Sequence, residues 1–329
     1  MAIRSGLGAQ LGLAAESTYG TYAAPTRTLE FTSEGLVVNR ERIESNGLRK
    51  GSTVRRKGRW ADNRKGGGGP LSFELANKGF GLPLKHAMGA VATTTPVGST
   101  LARRHRFTFG DLDDLSLTIQ KGVPEADTGT VRPYSFLGCV VTEWEMGVDV
   151  DGLVTFGMTV DAQEMDDTQT LAVAAFPSND TLFSYQQTAI TVDGGAVLPT
   201  ALSLNVGHGL ATGRYFVRNS PLKKRPIISD MRDVRGSLTL EFDTDVQVQR
   251  FLDAAPGAEV PIVVTVAGSI IDGTTPYGLT VTMQACRFDD SFPVVGGPDI
   301  ITVTAPFEVR DDSTNPPLIV DYFTTDVAP

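Results

Sequence analysis

GPLSFELANKGFGLPLKHAMG, Gly69–Gly89, reads as a glycine, a strand whose apolar residues alternate (Leu71, Phe73, Leu75), a short helix and a closing glycine. The same phrase returns as GSLTLEFDTDVQVQRFLDAAPG, Gly236–Gly257, with Leu238, Leu240 and Phe242 alternating and Glu241 standing where Glu74 stands. Alternation at period two marks a half-buried strand, because successive side chains point to opposite faces of a sheet. Each strand then runs into a helix. Pro83 is tolerable only in the first helical turn, which directs Leu84 and Met88 inward. In the second helix Val248, Phe251 and Leu252 share one face, with Asp243 or Thr244 as N-cap and Pro256-Gly257 as the stop.

Working outward, the echo continues. CVVTEWEMGVDVDGLVTFGMTVDAQE, from Cys139, resembles ACRFDDSFPVVGGPDIITVTAPFEVR, in which Cys286 takes the equivalent place. Each cysteine precedes a strand, a turn (Asp151-Gly152 or Pro298-Asp299) and a second apolar strand. Asp-Gly between alternating flanks is a strong hairpin signal, since both residues tolerate positive φ. Further alternation at Leu115, Leu117, Ile119 and at Leu279, Val281, Met283 makes the chain mainly β. The sequence therefore predicts two tandem copies of one sheet-and-helix unit: residues 29–165 and 188–329. Residues 166–187, rich in Thr, Ala, Ser, Asn and Asp, form a linker that docks through Phe176, Phe183 and Tyr185. Residues 1–28, small and glycine-rich, are expected to be an extended arm that gains order by contacting a partner.

The 329 residues suit two domains at the usual size, and 35 glycines and 19 prolines favour many turns. No apolar run approaches the roughly 20 residues that span a bilayer, and the start MAIRSGLGAQLGLAAEST is too polar for a secretory signal, so folding in a cytoplasm is expected. Net charge is -9, distributed unevenly. Residues 40–65 hold ten Lys/Arg against three Asp/Glu, and 214–235 hold seven against two. The chain is an acidic body with two basic inserts, each just upstream of its Gly-Leu-Glu strand, a pattern that invites association between unlike surfaces. A general nucleic-acid coat is excluded, because such proteins gain affinity by neutralising phosphates with cations.

No chemistry-bearing motif survives inspection. Glycines 66–69 precede Pro70 and a strand, whereas a phosphate loop needs Gly-Lys-Ser/Thr leading into a helix. Asp149 with Asp151-Gly152 resembles part of a calcium loop without its remaining ligands. His86, His105 and His208 are scattered, and Cys139 and Cys286 form no metal-ligand cluster or disulfide framework. There is no GxSxG elbow, and the acidic pairs Asp113-Asp114, Asp166-Asp167 and Asp289-Asp290 read as solvated loops. No catalytic residue, metal or cofactor is expected.

The basic stretch LRKGSTVRRKGRWADNRKGGGG remains. It reads as a long hairpin reaching an acidic partner, with Arg49, Lys50, Arg55, Arg56, Lys57 and Arg59 supplying charge and Trp60 an apolar anchor. A charged, solubilised loop and a phosphate-contacting loop are the other readings. Lys223, Lys224 and Arg225 hold the corresponding place in the second half, in LKKRPIISD, which reads as a shorter, proline-bearing loop.

The N-terminal pattern GLGAQLGLAAESTYGTYAAPTRTLEFTSEGL, followed by ERIESNGLRKG and GPLSFEL, resembles the tail tube proteins of long-tailed, siphovirus-type bacteriophages. Glu16, Ser17, Thr18, Tyr19, Gly20 and Thr21 carry the characteristic turn and Ser33-Glu34 the strand end. The resemblance implies a β-sandwich or barrel unit flanked by a helix, rings closed through sheet edges, and stacking through the long hairpin into a hollow tube. Such a tube encloses the tape measure protein, conducts DNA during ejection, and meets tail terminator and baseplate proteins at its ends. It implies a virion component assembled in the host cytoplasm, without a sheath. Because the unit occurs twice, three chains give a pseudo-hexameric ring, with six chains as the alternative. A tail terminator or baseplate hub of similar fold is the competing role.

Overall fold

The computed structural model describes residues 4–253, 255, 257–289 and 292–329. Strands dominate. The first half contains β1 (Gln10–Ala15), β2 (Arg27–Leu29), β3 (Ser33–Glu34), β4 (Val37–Glu44), β5 (Trp60–Glu74), α1 (Gly81–Met88), β6 (Gly89–Thr94), β7 (Arg103–Phe109), β8 (Leu117–Pro124), β9 (Val131–Asp149), β10 (Thr155–Ala162) and β11 (Glu164–Asp166). The second contains β12 (Thr188–Val192), β13 (Gly195–Val197), β14 (Pro199–Gly207), β15 (Leu210–Ala211), β16 (Ile227–Ile228), β17 (Asp233–Glu241), α2 (Val246–Leu252), β18 (Val260–Asp272), β19 (Thr275–Phe288), β20 (Thr302–Arg310) and β21 (Leu318–Thr324).

In each half the strand order and the register coincide. β5 pairs β10 with Glu74 opposite Thr155 and Gly69 opposite Val160; β17 pairs β20 with Glu241 opposite Thr302 and Gly236 opposite Phe307. On the other sheet β8 pairs β9 with Leu117 opposite Cys139, and β18 pairs β19 with Val260 opposite Cys286. One residue farther along, both ladders slip by a bulge, so that Ile119 faces Phe136 and Ile262 faces Met283. Each buried thiol donates to the carbonyl three residues back, Cys139 to Phe136 and Cys286 to Met283. The bulge thus fixes both cysteines in the same pocket of the ladder. Neither half closes into a barrel; the sheets stay open.

Alternation sets the core as the sequence requires. Leu71, Phe73 and Leu75 point inward with Phe156 and Met158, and one hydrophobic cluster runs through both halves, each buried Leu or Phe contributing about 1.5–3 kcal/mol. Helix α1 carries Pro83 in its first turn and buries Leu84 and Met88 completely. Helix α2 departs from expectation. Its N-cap position is Asp245, whose carbonyl accepts the Gln249 N–H at 2.8 Å, not Asp243 or Thr244. Val248 is buried, but Leu252 is exposed, because this helix lies on the rim and only its first turn meets the core. Pro256 lies outside the described residues, as does Asp290 of the acidic pair.

One further expectation needs correction, and two others hold in altered detail. Residues 1–28 are not a free arm from residue 10 onward: β1 is hydrogen-bonded on both edges, to β2 and β8, and Leu11 and Leu13 are fully buried. The β9–β10 hairpin forms where the Asp-Gly pair placed it, turning at Asp151 with φ of 66°. Pairing between the two strands begins at Gly147–Thr155, and on its other edge β9 pairs with β14 along Glu143–Asp149. Finally, the second basic insert is shorter, as expected, but by a single residue. Between matched ladder positions the first half holds 26 residues (40–65) and the second 25 (208–232). They differ in path: the first extends β4–β5 as a ribbon, while the second folds back with only the two-residue pair β15–β16.

The halves interlock. Antiparallel pairing of β9 with β14 joins them into one sheet in the order β4-β5-β10-β9-β14-β17-β20-β19. On the opposite side β7 pairs with β21, where Asp321 accepts from both Arg104 and Arg106 at 2.9–3.0 Å. The segment 167–184 straps the first half: Asn77 and Thr181 exchange hydrogen bonds, and Phe183 is buried, whereas Phe176 stays exposed.

Candidate assembly surfaces

The first surface is the β4–β5 ribbon. Every residue of β4 is exposed, as are the tip residues Arg49, Lys50, Arg55, Arg56, Lys57 and Arg59. Among the described residues only Arg55 of these six has an ion-pair partner, Glu44. Trp60 is half-exposed beneath the Arg42 guanidinium, 4.9 Å from the ring centroid, and Ile43, Leu48 and Val54 are also exposed. An isolated two-stranded ribbon is marginally stable in water. Uncovered apolar side chains and unpaired cations at its tip are what a partner surface would cover.

The second basic window is placed otherwise. Lys223 is buried, and its ammonium contacts the Asp161 carboxylate of the first half. The Lys223 carbonyl accepts from Gln163 Nε2 at 2.9 Å, and the Tyr215 hydroxyl donates to the Lys65 carbonyl at 2.8 Å. Burial pushes the Asp161 carboxyl above its usual range even though Lys223 pulls it down. Arg225 donates to the Leu112 carbonyl and lies over the Tyr19 ring, and Arg232 donates to the Gly110 carbonyl over Phe109. Lys224 alone of the three predicted residues is exposed, its ammonium 5.2 Å from the Phe216 ring. The structure therefore gathers Arg49 to Trp60 on one projection and spends Lys223 and Arg225 on clamping the halves together.

The third surface escaped sequence reasoning. The joined sheet turns its apolar side to the core and a polar side outward, built of Ser72, Thr155, Thr159, Ser203, Asn205, Ser237, Thr239, Thr302 and Thr304. Its charges are Glu74, Glu143, Glu145, Asp149, Asp233, Glu241 and Glu308 against Arg235, Arg310 and Arg287, the last reaching from β19 to Glu308 at 3.1 Å. Seven acids against three bases make this face negative. Each strand's alternation was legible, but that the faces merge depends on the β9–β14 pairing, for which no local signal exists.

The turn that carried the resemblance is organised by a buried carboxylate. Glu16 accepts from the Gly20 N–H (2.9 Å), Ser116 Oγ (2.7 Å), Thr118 Oγ1 (2.9 Å) and the Gly138 N–H (2.8 Å). Glu34, at the strand end, takes the Lys121 ammonium at 3.0–3.1 Å and the Leu36 N–H at 3.0 Å. Both acids serve structure. His86, His105 and His208 are separately buried, and burial lowers the first and last to about 4. Among the described residues no group of three His, Cys, Asp or Glu is placed to hold a metal.

An open two-sheet β subunit with an exposed ribbon and uncovered sheet edges presents the kind of surface on which assembly proteins are built. The chain is a member of the phage tail tube protein family, whose model matches residues 6–309. No curated protein matches it. Membership places the protein in the virion tail, in a structural role as a self-assembling tube component.

Proposed function

We propose that the chain is a tandem duplication of one tube unit and that three chains close a pseudo-hexameric ring, rings stacking into the conduit through which DNA leaves the capsid. The observation that carries this reading is the single sheet crossing both halves with an acidic outer face. Lining the bore with that face disfavours polyphosphate binding, since a wall on which carboxylates outnumber guanidinium groups offers little counterion release. The same face, small and hydroxyl-rich, encloses the tape measure protein before ejection.

The β4–β5 ribbon supplies the axial contact. Its unpaired cations meet acidic groups on the next ring, and the Trp60 and Ile43 side chains are covered there, so charge complementarity sets register and docking rate. Lys223 and Arg225 take no part in stacking, because Lys223 is paired with Asp161 and the Arg225 guanidinium is held by the Leu112 carbonyl and the Tyr19 ring within the chain.

Electron microscopy of the purified protein tests the reading: hollow filaments of stacked rings are expected, and a chain that stays monomeric at high concentration would contradict it.

A further inference from the structure

We infer that Asn46 and Gly47, at the tip of the β4–β5 ribbon, form a self-modifying site. The Gly47 backbone nitrogen attacks the Asn46 carboxamide and converts it to a carboxylate, while the surrounding guanidinium groups hold the charge that develops. The inference concerns the chemistry of the ribbon alone and stands apart from the tube reading.

The ladder releases this pair of residues. β4 ends at Glu44, and one further bond crosses the ribbon, from the Ser45 N–H to the Arg59 carbonyl. Beyond it Asn46 and Gly47 are exposed, and the Gly47 N–H donates to Ser45 Oγ at 3.2 Å rather than to a facing strand. Attack by that nitrogen on Asn46 Cγ closes a five-membered ring. A side chain on the following residue crowds the backbone rotation this needs, and glycine leaves it free. Of the eight asparagines, Asn46 alone precedes a glycine. The chain from Ser45 to Arg59 carries Arg49, Lys50, Arg55, Arg56, Lys57 and Arg59 and no acid. Four of these guanidinium groups, on Arg49, Arg55, Arg56 and Arg59, line one hollow of about 300 Å³ together with Asn46 and Gly47. Arg55 is paired with Glu44, and among the described residues the other three have no ion-pair partner.

The cationic hollow favours each charged species on the path. Nearby guanidinium groups stabilise the deprotonated amide nitrogen and the oxyanion that forms at Asn46 Cγ when it attacks. The Gly47 N–H proton passes by way of the Ser45 hydroxyl to water as the N–Cγ bond forms. The carboxamide nitrogen then takes up a proton and leaves as ammonia, and a cyclic imide remains. Water adds to either imide carbonyl and the C–N bond there breaks, which leaves aspartate at position 46 in its normal or its side-chain linkage. One water is consumed and one ammonia released, with no oxidant or reductant. The new carboxylate stands among Arg49, Arg56 and Arg59, so the reaction gives the ribbon tip a counter-charge that its sequence lacks.

The test follows the unassembled full-length subunit in mildly alkaline buffer, with peptide mass spectrometry reading the exchange of NH2 for OH at residue 46 and the split into two aspartyl isomers. The same chain unfolded in urea, where the hollow is lost, is the reference. Folded protein is expected to convert roughly tenfold faster than unfolded, a modest part of what an enclosed oxyanion donor supplies. R49Q/R56Q should bring the folded rate down to the unfolded one. Gly47→Val should abolish conversion, and the tip accepts it, because a Cβ at Gly47 meets only the movable Ser45 hydroxyl, at 3.2 Å. A folded rate equal to or below the unfolded rate, or one unchanged in R49Q/R56Q, would overturn the role of the hollow. Conversion that persists in Gly47→Val would overturn the attack by the backbone nitrogen.

Discussion

Replacing Lys223 by Met separates the two halves' electrostatics from their packing. Lys223 and Asp161 are 5% and 16% exposed at their side chains, and they belong to different halves. A buried pair cut on one side leaves the other charge without compensation, typically at a cost of about 3–5 kcal/mol. Asp161 keeps some solvent and can take up a proton, which places the expected loss near the lower bound, about 3 kcal/mol. Desolvation already raises the Asp161 carboxyl against the pull of Lys223, so removing both charges together should be nearly neutral. Urea unfolding of the unassembled subunit measures both variants, with K223M/D161L returning to within about 1 kcal/mol of the unmodified chain. The pH dependence has a definite sign. A carboxyl raised in the folded state binds more protons folded than unfolded, so the K223M deficit grows as pH rises through its folded value and shrinks toward the ordinary carboxylate range. A deficit below about 1 kcal/mol, or one independent of pH, would refute the claim that this pair clamps the halves.

Reversing R55E/R56E/K57E should leave the subunit folded, because these side chains touch no core, yet stop elongation; normal tubes by electron microscopy would remove the ribbon from the axial contact. Acid should destabilise the fold through His86 and His208, which are held near 4 against 6.5 when unfolded. The unfolded chain binds more protons between these values, so stability present above about pH 6.5 is lost as pH falls toward 4, by at most about 3 kcal/mol for each. H208F should flatten that slope in thermal melts at graded pH, and an unchanged slope would exclude His208 as a source. Gly69→Ala should cost about 1–3 kcal/mol in the same melts, since Gly69 sits at φ of 152° with the Gly35 carbonyl only 2.0 Å from where a Cβ would lie.

Much of the unit was legible because its determinants are local. Period-two alternation located β5, β8, β17 and β19, and Pro83 located the first turn of α1. Matching Cys139 to Cys286 and Glu74 to Glu241 anticipated the ladder positions on which Leu117–Cys139 and Val260–Cys286 later fell. Other features were hidden for physical reasons. Leu11 and Leu13 alternate like any strand, but glycine and alanine around them lowered the contrast, so β1 read as an arm. The two basic inserts look alike in composition; what separates them is that Asp161, Gln163 and Tyr19 offer the second a tertiary site that the first lacks. The β6–β7 hairpin and its clasp on β21 have no counterpart in the second half, so the echo could not announce them. The acidic face arises from pairing between strands more than fifty residues apart in sequence.

The central claim is that one chain supplies two equivalent ring positions. A cryo-electron-microscopy reconstruction of the assembled protein tests it most directly. Three chains per ring, with first and second halves alternating around an acidic bore, is the expected result. Six chains per ring, or a bore lined by any surface other than the β5-β10-β9-β14-β17-β20 face, would contradict it.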